Sequence, residues 1–94
     1  MSNVGVVIIP EKFDFNFHSQ FSKQTDVLID DPQVHVISLN FSATHYLDSS
    51  ALGMVVYLHK KASAANKKVV ISNASGVAEE ILRVANIQRL IDIV

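Results

Sequence analysis

Asp48, Ser49 and Ser50 stand in a row within HYLDSSALGMVVYLHKK (residues 45–61), directly ahead of a long run with helical spacing. A carboxylate and two hydroxyls at that place have two readings. Any one of them can accept a hydrogen bond from the first unpaired amides of the helix, a cap worth ~1 kcal/mol. A hydroxyl at a helix mouth is also a place where a phosphoryl group is tolerated, because free amides and the helix dipole favour negative charge there. One residue suffices for a cap, so three exceed that need. Residue types alone leave both readings open.

Other chemistry finds little support. His45, Asp48 and Ser49 could supply a base, an acid and a nucleophile, but no G-x-S-x-G elbow surrounds the serine. His45 and Ser49 are also only four residues apart on one expected loop. The four histidines, His18, His35, His45 and His59, lack metal-ligand spacing, so no metal site is expected. His35 reads as structural, and His18 and His59 as solvated helix positions. Cysteine is absent, which excludes disulfides, thiolate nucleophiles and sulfur-ligated metals. With three glycines there is neither a P-loop nor a glycine-rich dinucleotide turn. The chain therefore reads as a protein that is not an enzyme and carries no cofactor.

Ninety-four residues make one domain, residues 1–94, with room for a single core. Its formal net charge of −1 leaves no basic stripe for nucleic acid. Lys60, Lys61, Lys67 and Lys68 form the one basic cluster, and it reads as a solvated corner rather than a phosphate site. The apolar runs Val4–Ile9 and Ala51–Val56 fall far short of the ~20 residues a bilayer span needs. No signal-peptide pattern opens the sequence, so a cytoplasmic protein without membrane insertion is expected.

The elements that must position Asp48, Ser49 and Ser50 follow from periodicity. The β-branched run from Val4 to Pro10 reads as a buried strand, and Glu11–Phe17 as a short strand running into a helix with Asn16 as its N-cap. Phe17, Phe21 and Leu28 share a face of that helix, which Asp30–Pro32 ends. Val34–Phe41 is the next strand, followed by a loop and a helix from about Ser50 to Asn66 with Ala51, Val55, Leu58, Ala62 and Ala65 on one stripe. Lys67–Asn73 is a strand. Ser75 should cap a helix whose Val77, Ile81 and Val84 face inward, and a last short strand spans Leu90–Val94. Strands alternating with helices predict an α/β domain, here a mixed four- to five-stranded sheet with helices packed against it.

The stretch YLDSSALGMVVYLHK resembles the signature of STAS domains, above all the bacterial anti-sigma factor antagonists, whose pattern is D-S-S-G-L-G followed by a long helix. The likeness extends along nearly the whole chain: VVIIPEKFDF fits a strand ending near a G-x-[LI]-D segment at Phe13 and Asp14, and KKVVISNASGVAEEILRVANI fits the later strand and helix. Two positions depart, with Ala51 in place of a glycine and Glu11 where the family often has one. Many relatives carry another helix beyond the position of Val94, which leaves open whether the uncovered surface forms a homodimer.

The resemblance implies a STAS-type domain acting as an anti-sigma factor antagonist in a partner-switching pathway. On that reading Ser49 is phosphorylated by an anti-sigma factor that is also a serine kinase, the unmodified form binds that partner, and a serine phosphatase resets the system. The expected contact face is Tyr46, Asp48, Ser49, Ser50 and Met54, with Asp14 and Phe15 nearby. Tyr46 and Met54 would be apolar anchors, although core packing accounts equally well for Met54. A second reading is the STAS accessory subunit of an ABC-type lipid transporter, in which a threonine often takes the switch position.

Overall fold

A computed structural model describes residues 3–94. The elements are β1 (Val4–Ile8), β2 (Lys12–Phe13), a 3₁₀ turn at Phe15–Phe17, α1 (His18–Asp30), β3 (Val36–Asn40), β4 (Tyr46–Leu47), α2 (Ser49–Ala64), β5 (Lys68–Ser72), α3 (Gly76–Val84), a 3₁₀ turn at Ile87–Arg89 and β6 (Asp92–Ile93). The α/β expectation is met. The sheet is not mixed, however: β1-β3-β5-β6 form one sheet in which every ladder is parallel, and β2 and β4 form a separate parallel pair.

Alternation along the strands divides the sheet into a covered and an uncovered face. Val7, Ile37, Leu39, Val69 and Ile71 are buried beneath the helices, while Val4, Val6 and Ile8 point the other way and are exposed. α1 packs on β1 and α2 on β5. Gly5 is required where α1 crosses: a Cβ there would stand 2.5 Å from Cδ2 of Leu28. The stripe of α2 is as expected, with Ala51, Val55, Leu58 and Ala62 all at 2% exposure or less. Ala65 lies outside it, as the C-cap of the helix. Asn66 follows at φ 59°, its amide donating to the Ser63 carbonyl and that of Lys67 to Ala62, which closes the helix in a Schellman motif.

Two local expectations change. Asn16 does not cap α1: the residue at that helix's N-cap is Phe17, without a side-chain bond, and Asp14 instead caps the preceding 3₁₀ turn. In α3 the buried side chains are Ala78 and Leu82, whereas Val77 and Val84 are 58% and 77% exposed and Ile81 is half-buried. The helix is therefore turned by about one position from the expected face. Packing selected the stripe that brings the small Ala78 against the core and lets Leu82 fill it.

Candidate functional site

The short β2–β4 pair places the site. Lys12 pairs with Tyr46 and Phe13 with Leu47, so the next residue of each strand, Asp14 and Asp48, opens a helical turn beside the other. Further bonds fix this register: the His45 amide donates to the Glu11 carbonyl at 2.8 Å and the Asp48 amide to the Phe13 carbonyl at 3.2 Å. Thr44, 3% exposed, locks the loop ahead of β4, its hydroxyl donating to the Pro10 carbonyl at 2.9 Å. Beneath the pair, Phe13 is fully buried and packs edge-on against Phe17 and Phe41.

The two aspartates act alike. Asp14 Oδ1 accepts from the Asn16 amide at 2.9 Å, and Asp48 Oδ1 accepts from the Ala51 amide at 2.9 Å. Both sit in extended backbone and are half-buried. The capping of α2 is thus done by Asp48. Ser49 and Ser50 are exposed, and neither hydroxyl makes a hydrogen bond among the described residues. No hydrogen bond joins the side chains of His45, Asp48 and Ser49 either.

A groove of about 340 Å³ runs between the 3₁₀ turn with α1 on one side and α2 on the other. Phe15, His18, Phe21, Ser50, Met54 and Tyr57 are among its walls. Of the expected contact residues it gathers Phe15, Ser50 and Met54, while Asp14, Tyr46, Asp48 and Ser49 lie outside it. Phe15 is 66% exposed and stacks on the His18 ring at 5.2 Å. Tyr46 is 47% exposed. Met54, at 7%, belongs to the core and offers only an edge to the groove.

Sequence reasoning missed His18, Tyr57 and Gly53 as members of this surface. The signal was present: Ser50, Gly53, Met54 and Tyr57 fall at i, i+3, i+4 and i+7, one face of α2. Gly53 is an exposed helix-interior glycine with nothing within 4 Å of where its Cβ would be.

Most of the lysine cluster is tied down. Lys67 Nζ donates to the Asp31 and Val34 carbonyls at 2.6 Å each, Lys61 pairs with Asp26 and Lys68 with Asp92. The Lys61 ammonium is held above its ordinary pKa, chiefly by its hydrogen bond to Asp26. Among the described residues no group of three or more histidine, aspartate or glutamate side chains is placed to hold a metal ion, and no helix is long and apolar enough to cross a membrane.

The STAS domain family model matches residues 2–94. A STAS-domain containing protein of Pseudomonas aeruginosa (strain UCBPP-PA14) is 35% identical over 85 residues, covering 90% of this chain and 82% of that protein. A candidate anti-sigma factor antagonist from Thermotoga maritima superposes with a TM-score of 0.83 at 21% identity, covering 99% of this chain and 80% of that one. The Bacillus cell fate determinant SpoIIAA in its phosphorylated form gives 0.73 at 17% identity over 100% and 85%. A sulfate transporter family protein from Wolinella succinogenes gives 0.82 at 13% identity over 95% and 71%. At these identities the solved structures establish a common fold. The chain belongs to the STAS domain family.

Proposed function

We propose that this STAS domain is an anti-sigma factor antagonist that binds an anti-sigma factor with serine kinase activity and is released when Ser49 is phosphorylated. One observation carries the reading: the cap of α2 is made by Asp48, so the exposed hydroxyl of Ser49 has no structural duty. The likeness to SpoIIAA, whose structure is known in a phosphorylated form, supports the same assignment. The domain does no chemistry on this reading. It is the kinase's substrate and binding partner, and a serine phosphatase restores it.

The physics of release follows from position. A phosphate adds about −1.5 to −2 charge, moving the net charge from −1 to roughly −3. At the first turn of α2 the free amides accommodate it, so the fold survives. Asp14 and Asp48 already place two carboxylates at that end, and the phosphate concentrates charge of the same sign. Desolvating such a dianion under a partner costs ~3–4 kcal/mol, a loss of several hundred-fold in affinity. Phe15 and Tyr46, both exposed aromatics beside the caps, serve as the apolar anchors of the contact. The 7% exposure of Met54 makes it a floor for the groove more than an anchor.

The likeness to a sulfate transporter family protein supports a second reading, an accessory domain of a transporter such as the ABC-type lipid systems. The paired exposed hydroxyls favour the antagonist. Wild type, Ser49→Ala and Ser49→Asp used as parallel baits separate the two. Capture of a kinase-type ATPase by wild type and Ser49→Ala but not by Ser49→Asp, with phosphate transferred from ATP to residue 49, is the expected result. Equal capture of one partner by all three removes Ser49 as a switch, and recovery of transporter components selects the second reading.

A further inference from the structure

Helix α3 turns its less apolar stripe to the core. Ala78 and Leu82 are buried, while the β-branched stripe of Val77, Ile81 and Val84 is left on the outside. Beside that stripe α2 presents Leu52 and Val56, both half-buried. Two open cavities lie along this joint surface. One of about 440 Å³ is bounded by Val77, Ile81 and Val84, and one of about 380 Å³ by Val56 and Ile87. Leu52 and Ala85 border both, so the two hollows adjoin. A contiguous exposed apolar ridge of this kind marks a contact surface.

Each end of the surface carries one charge. Glu80 borders the first cavity and Lys60 the second. Helical spacing puts both in line with the apolar residues: Val77, Glu80, Ile81 and Val84 fall at i, i+3, i+4 and i+7 of α3, and Leu52, Val56 and Lys60 at i, i+4 and i+8 of α2. Both charges are exposed, and neither makes an ion pair among the described residues. Their neighbours do, Glu79 with Arg83 and Lys61 with Asp26.

We propose that this α2–α3 surface binds a second copy of the same chain about a two-fold axis. An axis between Leu52 and Ala85 reverses the surface, laying the Glu80 end of each copy on the Lys60 end of the other. Both unpaired charges then gain a partner, twice over. The same rotation sets the Val77–Val84 ridge of one copy against the second cavity of the other, as the ridges of one helix fill the grooves of another. Charge decides the occupant. An anionic lipid surface, or a peptide of a single sign, is attracted at one end and repelled at the other. The complement required is an acid opposite Lys60 and a base opposite Glu80, and the chain itself supplies it in reverse order. Roughly two turns of each helix take part, less than the roughly 1,200 Å² of a stable interface, so the dimer is weak and reversible. It does not rest on the partner-switch reading.

Sedimentation equilibrium of the purified chain in low salt, from about 1 μM to about 1 mM, tests this across the range in which a weak interface fills. The wild-type mass should climb toward that of two copies. Lys60→Glu and Glu80→Lys should each weaken association about tenfold, because like charges then meet twice. The double variant Lys60→Glu/Glu80→Lys keeps the wild-type net charge and should restore it. Val84→Lys should also weaken association about tenfold, and Val27→Lys on α1, 68% exposed, should match wild type. A wild-type chain that stays monomeric to the highest concentration overturns the proposal and leaves the surface to an unlike partner. A double variant no better than the single ones overturns it too, as does association that Val27→Lys weakens and Val84→Lys does not. All four positions are exposed, so the variants should keep the wild-type circular dichroism. Should one fail to fold, wild-type amide resonances decide: concentration-dependent shifts over 52–60 and 77–85 support the contact, and shifts confined elsewhere overturn it.

Discussion

Helices α2 and α3 open with similar residues and are held by different means. Ahead of α2 come Asp48, Ser49 and Ser50, and the carboxylate of the first bonds the Ala51 amide. Ahead of α3, Ser75 occupies the N-cap position in extended backbone, yet its side chain makes no capping bond. Gly76 then opens that helix at φ 55°, where a side chain would be strained. The start of α2 is fixed by a polar cap that leaves two hydroxyls unused. The start of α3 is fixed by a glycine turn and by the burial of Ala78 and Leu82. A hydroxyl in front of a helix therefore marks where the helix begins without stating what that hydroxyl does.

This contrast can be attacked at several strengths. Leu82→Ala should cost about 3 kcal/mol, since the side chain is fully buried, whereas Val84→Ala should stay within about 0.5 kcal/mol. Similar losses for both in urea unfolding would mean that α3 is not anchored through the face described. Next comes the cap: Asp48→Ala should lose about 1 kcal/mol and Ser75→Ala only a few tenths. Thermal unfolding that ranks them equally would erase the difference between the two helix starts.

Gly53→Ala should raise stability by about 0.5–1 kcal/mol, because the added methyl meets nothing within 4 Å and the helix gains a better former. A loss instead would show that the face of α2 at Gly53 is constrained within the free domain. The smallest effect belongs to the far end of α2. Asp26→Asn removes the exposed pair with Lys61 and should cost well under about 1 kcal/mol, less in high salt. The pair raises the folded pKa of Lys61, so its contribution is present below the unfolded lysine value of about 10.4 and fades as pH rises through the folded one. Wild type and Asp26→Asn should converge in strongly alkaline solution.

Sequence was a good guide where a pattern has one physical cause. The stripe of α2, the order of strands and helices and the place of Asp48 all follow from periodicity and capping. It failed where two patterns compete. In α3, Val77, Ile81 and Val84 make a more apolar stripe than Ala78 and Leu82, and only the space beneath the helix decides between them. β4 was hidden because Tyr46 and Leu47 pair with a distant two-residue strand, which no local propensity announces. Strand direction was legible but misread: strands alternating with crossover helices favour parallel ladders, and the mixed sheet that was expected does not follow from that pattern. At the site, Asp48, Ser49 and Ser50 stand out by type and spacing and Phe15 entered with the resemblance, while His18 enters only because the 3₁₀ turn folds its ring onto Phe15.

The one-way strand order also governs how the chain reaches this state. Val4 meets Val36 and Val36 meets Lys68, steps of 32 residues, and even the nearest ladder of the large sheet joins Val70 to Asp92. No hairpin exists in that sheet to form early and recruit the rest. Each strand pair must wait for a helix to close a long loop, so the entropy of closure falls before the ladder bonds are gained. Refolding slower than that of a helical bundle of the same length is the expected outcome of that arrangement, to be checked by stopped-flow refolding. During that interval the apolar run from Val4 to Ile9 is unshielded, the kind of exposed strand that makes incompletely folded chains prone to aggregate.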